Sequence, residues 1–415
     1  VSAQQTSSDG KKNPTSGEII RVWNITKNAT TQKSKKFEMS DTKAKPGFRI
    51  GDETAGARVD QLYFWLRSLE VIDKDTVIFF RDGRLCVKGD VSFPSGVRIS
   101  FPVSFGSVWG SFSAVGCGLT DTDLIKLPRK VYQKCDISDN SFSSLEEGPL
   151  FVSGSFTARN CGLRTSAGVP DIVGKVLDLS FNKLSGEYLF LPTRVQSVLL
   201  DGNSNLGVLR ITKPKKFKIL SAQDCGIEKI DIAALSIGML DLSDNPIRNL
   251  FGSPKRAKVF IMRNCRSLRS FKGISLCAID TLNASNCSFT SFEHLPQNIR
   301  NLTMPGNKCM YTIGLPKRAE KIDISFCGIK RITECPSRLE EFNIIGNEIE
   351  IYQHGPKRVT NLLISRNPIK QLRKLPEVIY GNVDAQKLAM SPKDIKRLFE
   401  KTKVAGFIFT DEDHE

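Results

Sequence analysis

Thirteen side chains that can hydrogen-bond or act as thiols return along the 415-residue chain at nearly equal steps: Cys117, Asn140, Cys161, Asn182, Asn203, Cys225, Asn245, Cys265, Cys287, Asn307, Cys327, Asn347 and Asn367. Asparagine amides in such a series can satisfy backbone groups, whereas thiols could act as nucleophiles, metal ligands or disulfide partners. The sequence favours none of the reactive options. No C-x-x-C pair occurs among the 11 Cys, and only His294, His354 and His414 could assist them, so no metal site is expected. Cys135 and Cys309 stand at neighbouring apolar positions, and Cys86, Cys277 and Cys335 do not cluster as disulfide caps do. Buried thiols in a reducing compartment, the cytoplasm or a host cytoplasm, are the expectation. Catalytic motifs fail as well. The segment from Gly168 to Lys175 has too many residues between its glycines and no Ser or Thr after the lysine, so it is no phosphate loop. No H-E-x-x-H, G-x-G-x-x-G or G-x-S-x-G is present. Neither an enzyme activity nor a cofactor is expected.

The elements that carry the thirteen residues follow from their surroundings. Each lies in the string L-x-L-x-x-N/C-x-L, as in LDLSFNKL from Leu177, LDLSDNPI from Leu240, KIDISFCGI from Lys321 and LLISRNPI from Leu362. The mean step is about 21 residues, within the leucine-rich-repeat range. Over roughly residues 105–390 the chain therefore resembles a leucine-rich repeat protein. What the resemblance implies is an α/β repeat solenoid: a horseshoe with a parallel sheet on one face, irregular extended outer segments, an α+β N-terminal cap and a C-terminal helical cap. Alternation on a strand points Leu177 and Leu179 into the coil, and stacked turns share one core. The Asn or Cys faces the same interior, where it must meet backbone groups at the bend. Prolines at 128, 170, 192, 214, 254, 296, 316, 336 and 356 each precede a ladder residue by 11 or 12 residues. Leu-Pro at this place is similar to the short repeats of bacterial effector proteins.

Outside the array, residues 1–48 form a polar, lysine-rich arm that cannot build a core. An ordered form of such an arm needs something to hold it, and that something could be a partner. Residues 49–104 read as an α+β cap, with Val59, Leu62, Tyr63, Leu66 and Leu69 on one helical face and a hairpin turning at Asp82-Gly83. Residues 391–415 read as a closing helix opened by Ser391-Pro392, with GFIFT adding a strand before an acidic tail. No apolar run is long enough to span a membrane, and the first residues lack the apolar core of an export signal.

Two faces could bind. Residues following the repeat prolines are basic: Arg129, Lys130, Arg194, Lys215, Lys216, Lys255, Arg256, Lys317, Arg318, Arg338, Lys357 and Arg358. They form either a solvated lane that keeps the array soluble or a ridge for an acidic protein surface or for nucleic acid, in keeping with the net charge of +16. On the strand face, Asp136, Asp178, Asp201, Asp241 and Asp323 are expected to be exposed, as part of a protein-binding surface rather than a cation site. Phe181 and Phe326 are the candidate anchors there. The function expected is a non-enzymatic scaffold for protein partners within a multi-subunit assembly, such as a virion or another large particle. The alternatives are a secreted effector-type module that binds a host protein, and a ribonucleoprotein component that uses the basic lane.

Overall fold

The computed structural model describes residues 55–411 apart from 187, 214, 275 and 276. The arm at 1–48, the start of the cap, Pro214 and the last acidic residues lie outside the described residues. The helix expected after Thr54 runs over Ala55–Ser68 and buries Val59, Leu62 and Leu66. It stops at Glu70, whose φ of 55° no helix continues. The hairpin Val77–Arg81/Arg84–Lys88 is antiparallel and turns through Asp82 and Gly83, with φ of 52° and 70°.

From the hairpin onward the strands pair in parallel, turn upon turn. One file of equivalent residues runs Asp178, Leu199, Ser221, Asp241, Ile261, Asn283, Thr303, Asp323, Asn343, Leu363 and Asp384 without a slip of register. The neighbouring inward file includes Leu177, Val198, Leu220, Leu240, Phe260, Leu282, Ile322, Phe342 and Leu362, all fully buried. This is the continuous core of a parallel-strand solenoid of the leucine-rich-repeat type. Such a turn buries its apolar face only against its neighbours.

The coil reaches further at both ends than the repeat string suggests. Arg84–Lys88 already pairs in parallel with Phe105–Val108, and Val91–Ser92 with Phe112–Ser113, so part of the expected N-terminal cap is a turn of the coil. At the other end Val378–Ile379 pairs with Lys403–Val404, and Val383–Asp384 with Ile408–Phe409. The helix Pro392–Phe399 therefore sits in the connection of one more turn rather than closing the array. Ser391 caps it by accepting from the Asp394 amide. The reason is backbone satisfaction: a parallel strand left unpaired presents a row of open amides and carbonyls, and the next segment covers them even when its side chains leave the consensus.

The thirteen Asn and Cys residues are at most 7% exposed. The Asn182 amide donates to the Ala158 and Leu179 carbonyls, each at 2.8 Å, while its Oδ1 accepts from the amides of Cys161 at 2.9 Å and Leu163 at 3.1 Å. Asn245 and Asn347 repeat these four contacts one or more turns on. Where the residue is Cys, its thiol takes the carbonyl of the preceding turn, as Cys225 does with Leu200 at 3.1 Å and Cys327 with Met304 at 3.1 Å.

A second repeating feature escaped the sequence reading. The residue before every ladder position has positive φ, between 48° and 73°, from Gly116 through Arg366. Most of these are Gly, Asn or Asp, which adopt that geometry at least strain. Gly96 and Lys387, with φ of 77° and 52°, extend the same bend to the two additional turns.

All eleven cysteines are free, ten of them buried and Cys335 half-buried. Loss of solvent pushes the thiols of Cys117, Cys277 and Cys327 up to about 11. Two predictions follow from this interior. Asn182→Ala strands four backbone groups and should lower urea stability by about 3 kcal/mol, against about 1 kcal/mol for Cys225→Ala. Because the folded chain keeps thiol protons that the unfolded chain releases near pH 9, these cysteines stabilise fully below that pH. Their contribution is lost as pH rises toward the folded values, so the urea midpoint should fall between about pH 8 and about pH 10.5.

Candidate functional site

The strand face differs from the expectation of exposed carboxylates. Asp178 and Asp241 are buried, at 7% and 5% exposure, and Asp323 is half-buried. Each carboxylate turns back on its own chain. The Asp241 Oδ1 accepts from the amide of Ser243 at 2.9 Å and its hydroxyl at 2.6 Å, and Asp323 holds Ser325 in the same way. Asp178 accepts from the Ser180 amide and pairs with Arg159 at 3.1 Å. Asp-x-Ser thus braces the strand as it enters the positive-φ bend, and these acids are not a free docking surface. Stacking at about 4.8 Å per strand leaves short side chains little room to reach water.

Phe181 and Phe326 stand at the end of the strand, not on it. Each occupies the positive-φ position, with φ of 58° and 52°, and each is 54% exposed. The Arg159 guanidinium lies 4.9 Å from the Phe181 ring centroid. Each ring covers the glycine at the equivalent position of the next turn, Gly202 or Gly346, where any Cβ would collide with it. A phenylalanine in left-handed backbone is strained by roughly 1–2 kcal/mol, so neither ring is there for the sake of the bend.

The basic residues lie along one edge of the coil and are exposed, except Arg129, which is half-buried and held by Glu147 at 3.3 Å. Register makes them a file. Lys216, Ser236, Arg256 and Ala278 are direct partners in adjacent strands, Asn298 bridges to Arg318, and Arg338 pairs with Arg358. The pairing of Lys321 with Glu341, carried back three residues, sets Arg318 beside Arg338. Lys215, Lys255, Lys317 and Lys357 precede members of this file by one residue.

Followed toward the N-terminus the same edge changes chemistry. Arg194 bridges to Ile172, which pairs with Phe151, which pairs with Lys130. Here Val108, Val131, Val152 and Val173 point inward and are fully buried, so the residues flanking them point out. Phe79 lies 5.8 Å from Trp109, Trp109 stacks on Tyr132 at 5.7 Å and 10°, and Tyr132 meets Phe151 at 5.6 Å, centroid to centroid. Trp109 and Tyr132 remain 37% and 40% exposed, and Leu150 beside them 52%. None of these rings was singled out from the sequence. The available signal was an aromatic residue straight after a buried valine, at the same 23-residue step that separates Cys117 from Asn140.

No helix among the described residues is long and apolar enough to cross a membrane. No protein-family model matches the chain, and no curated protein matches it in sequence. Among solved structures it is similar to YopM from Yersinia enterocolitica WA-314, at 18% identity and a TM-score of 0.40, over 72% of this chain and 73% of that one. The functional reading therefore rests on the chain's own surface.

The bend position gives a direct test of why the two phenyl rings are kept. Phe326→Asn should hold or raise stability by up to about 1 kcal/mol in urea melts, because asparagine suits the left-handed bend. Gly346→Val should lower it by about 2 kcal/mol or more, since it adds both strain and a clash.

Proposed function

We propose that the chain is a non-enzymatic repeat scaffold that binds a protein partner along the edge of its coil. The observation that carries this is the contiguous run Phe79, Trp109, Tyr132 and Phe151, half-buried at its two ends and exposed at Trp109 and Tyr132. Contiguous exposed aromatic surface marks binding sites, and Trp and Tyr dominate the energetics of protein interfaces. The rings are fixed by stacking and by parallel strands, so little side-chain freedom is lost when a partner covers them. Phe181 and Phe326 add two isolated anchors at the bend. A scaffold role also accounts for the groups that could have done chemistry: the aspartates brace backbone, and burial pushes the thiols of Cys117, Cys277 and Cys327 up.

A place in a larger assembly, such as a virion, rests on the basic arm at 1–48. A monomer in light scattering whose mass and stability ignore removal of that arm would count against it. The effector-type reading is favoured by the Leu-Pro spacing, whose described prolines are mostly buried in the outer segments. Eleven free thiols fit a reducing compartment.

The main reading is tested by capturing a partner with the full chain, identifying it by mass spectrometry, and titrating it against Trp109→Ala/Tyr132→Ala. The double variant should keep the far-ultraviolet spectrum of the parent and lose about 2 kcal/mol of binding or more. Undiminished affinity would remove the rings from the interface, and Phe181→Ala/Phe326→Ala then shows whether the bend carries it instead.

A further inference from the structure

The arginine end of the edge file is built against electrostatics. Arg318, Arg338 and Arg358 occupy equivalent places in three successive turns, Arg318 at a bridge just ahead of its strand and the other two at the first residue of theirs, spaced at about 4.8 Å, and all three are exposed. Like charges set directly side by side on a sheet are unfavourable. Glu320 and Glu340 line the same recess as Arg318 and Arg338, yet none of the three arginines forms an ion pair among the described residues, whereas Arg256 reaches Asp280 at 3.9 Å and Arg300 reaches Glu320 at 3.2 Å. Beside the row lies a recess of about 650 Å3 whose charged lining is Lys317, Lys357 and Lys374 against Glu334 and Glu377. The Glu334 carboxylate is already engaged by the Gly314 amide at 3.0 Å.

We infer that Arg318, Arg338 and Arg358 form a docking row for an acidic segment of a protein partner. Charge complementarity demands an anion, and the scaffold reading selects a polypeptide as its source. The row also continues the edge that carries Trp109 and Tyr132. One partner lying along that edge would meet rings first and guanidinium groups about 40 Å further on. In this respect the inference rests on the scaffold reading, although its own contacts are separate.

The test uses the full chain and fluorescently labelled poly-L-glutamate of about 20 residues. Fluorescence anisotropy should show binding that weakens as salt rises and falls at least tenfold in Arg318→Gln/Arg338→Gln/Arg358→Gln. A control of equal charge change at exposed lysines off the row, Lys183→Gln/Lys229→Gln/Lys308→Gln, should stay within about twofold of the parent. No binding, an equal loss in the control, or tighter arginine-dependent binding of an oligouridylate of the same length would overturn the proposal, the last in favour of RNA. Trp109→Ala/Tyr132→Ala should leave poly-L-glutamate binding intact, so failure of the ring interface and failure of the arginine row are read separately.

Discussion

A coil of parallel strands must reverse its path at every turn, and each reversal buries backbone groups that no strand can pair. The structure answers this with one interaction repeated along its length: a buried amide or thiol reaching the carbonyls of its own turn and the one before. Asn182 shows the full form, with two donors and two accepted bonds spanning successive turns. A cysteine supplies only the donor half, to the same carbonyl of the preceding turn. Exchange between the two is tolerated because each fills the site and neither leaves that carbonyl open. The left-handed residue before each ladder position is the geometric counterpart, since it turns the chain so that the ladder side chain points inward.

With the interior fixed in this way, the surface becomes a set of straight files. Register holds from Asp178 to Asp384, so any outward position is repeated at strand spacing, and its chemistry varies from turn to turn without disturbing the core. Part of the strand-face file is given to bracing: Asp178, Asp241 and Asp323 each accept from the serine two residues on. The edge file is free of that duty. Rings stand on it and beside it over the first turns, and over the later ones it carries Arg318, Arg338 and Arg358, which form no ion pair among the described residues. Phe181 and Phe326 stand at the bend, where glycine, asparagine or aspartate would sit with less strain.

Much of this was legible in the residues. The period, the inward leucines and the ladder from Cys117 to Asn367 can be placed without coordinates, because apolar alternation and a buried polar residue are local and recur in phase. The Ser391-Pro392 helix start is local as well, and the structure caps it as expected. Burial of Asp178 and Asp241 was not legible, because it depends on strands that lie about 20 residues away in sequence. Nor was the extension of the coil to Arg84 and to Phe409, where pairing persists although the consensus has faded.

By itself, then, the sequence determined a stacked coil with one core and a polar spine, since both follow from side-chain type and spacing within a single turn. Only the tertiary structure decided which surface residues stand together. Trp109 and Tyr132, or Arg338 and Arg358, are 20 or more positions apart in the chain and become neighbours through hydrogen-bonded register. A slip of one residue would have turned each of them to the opposite face.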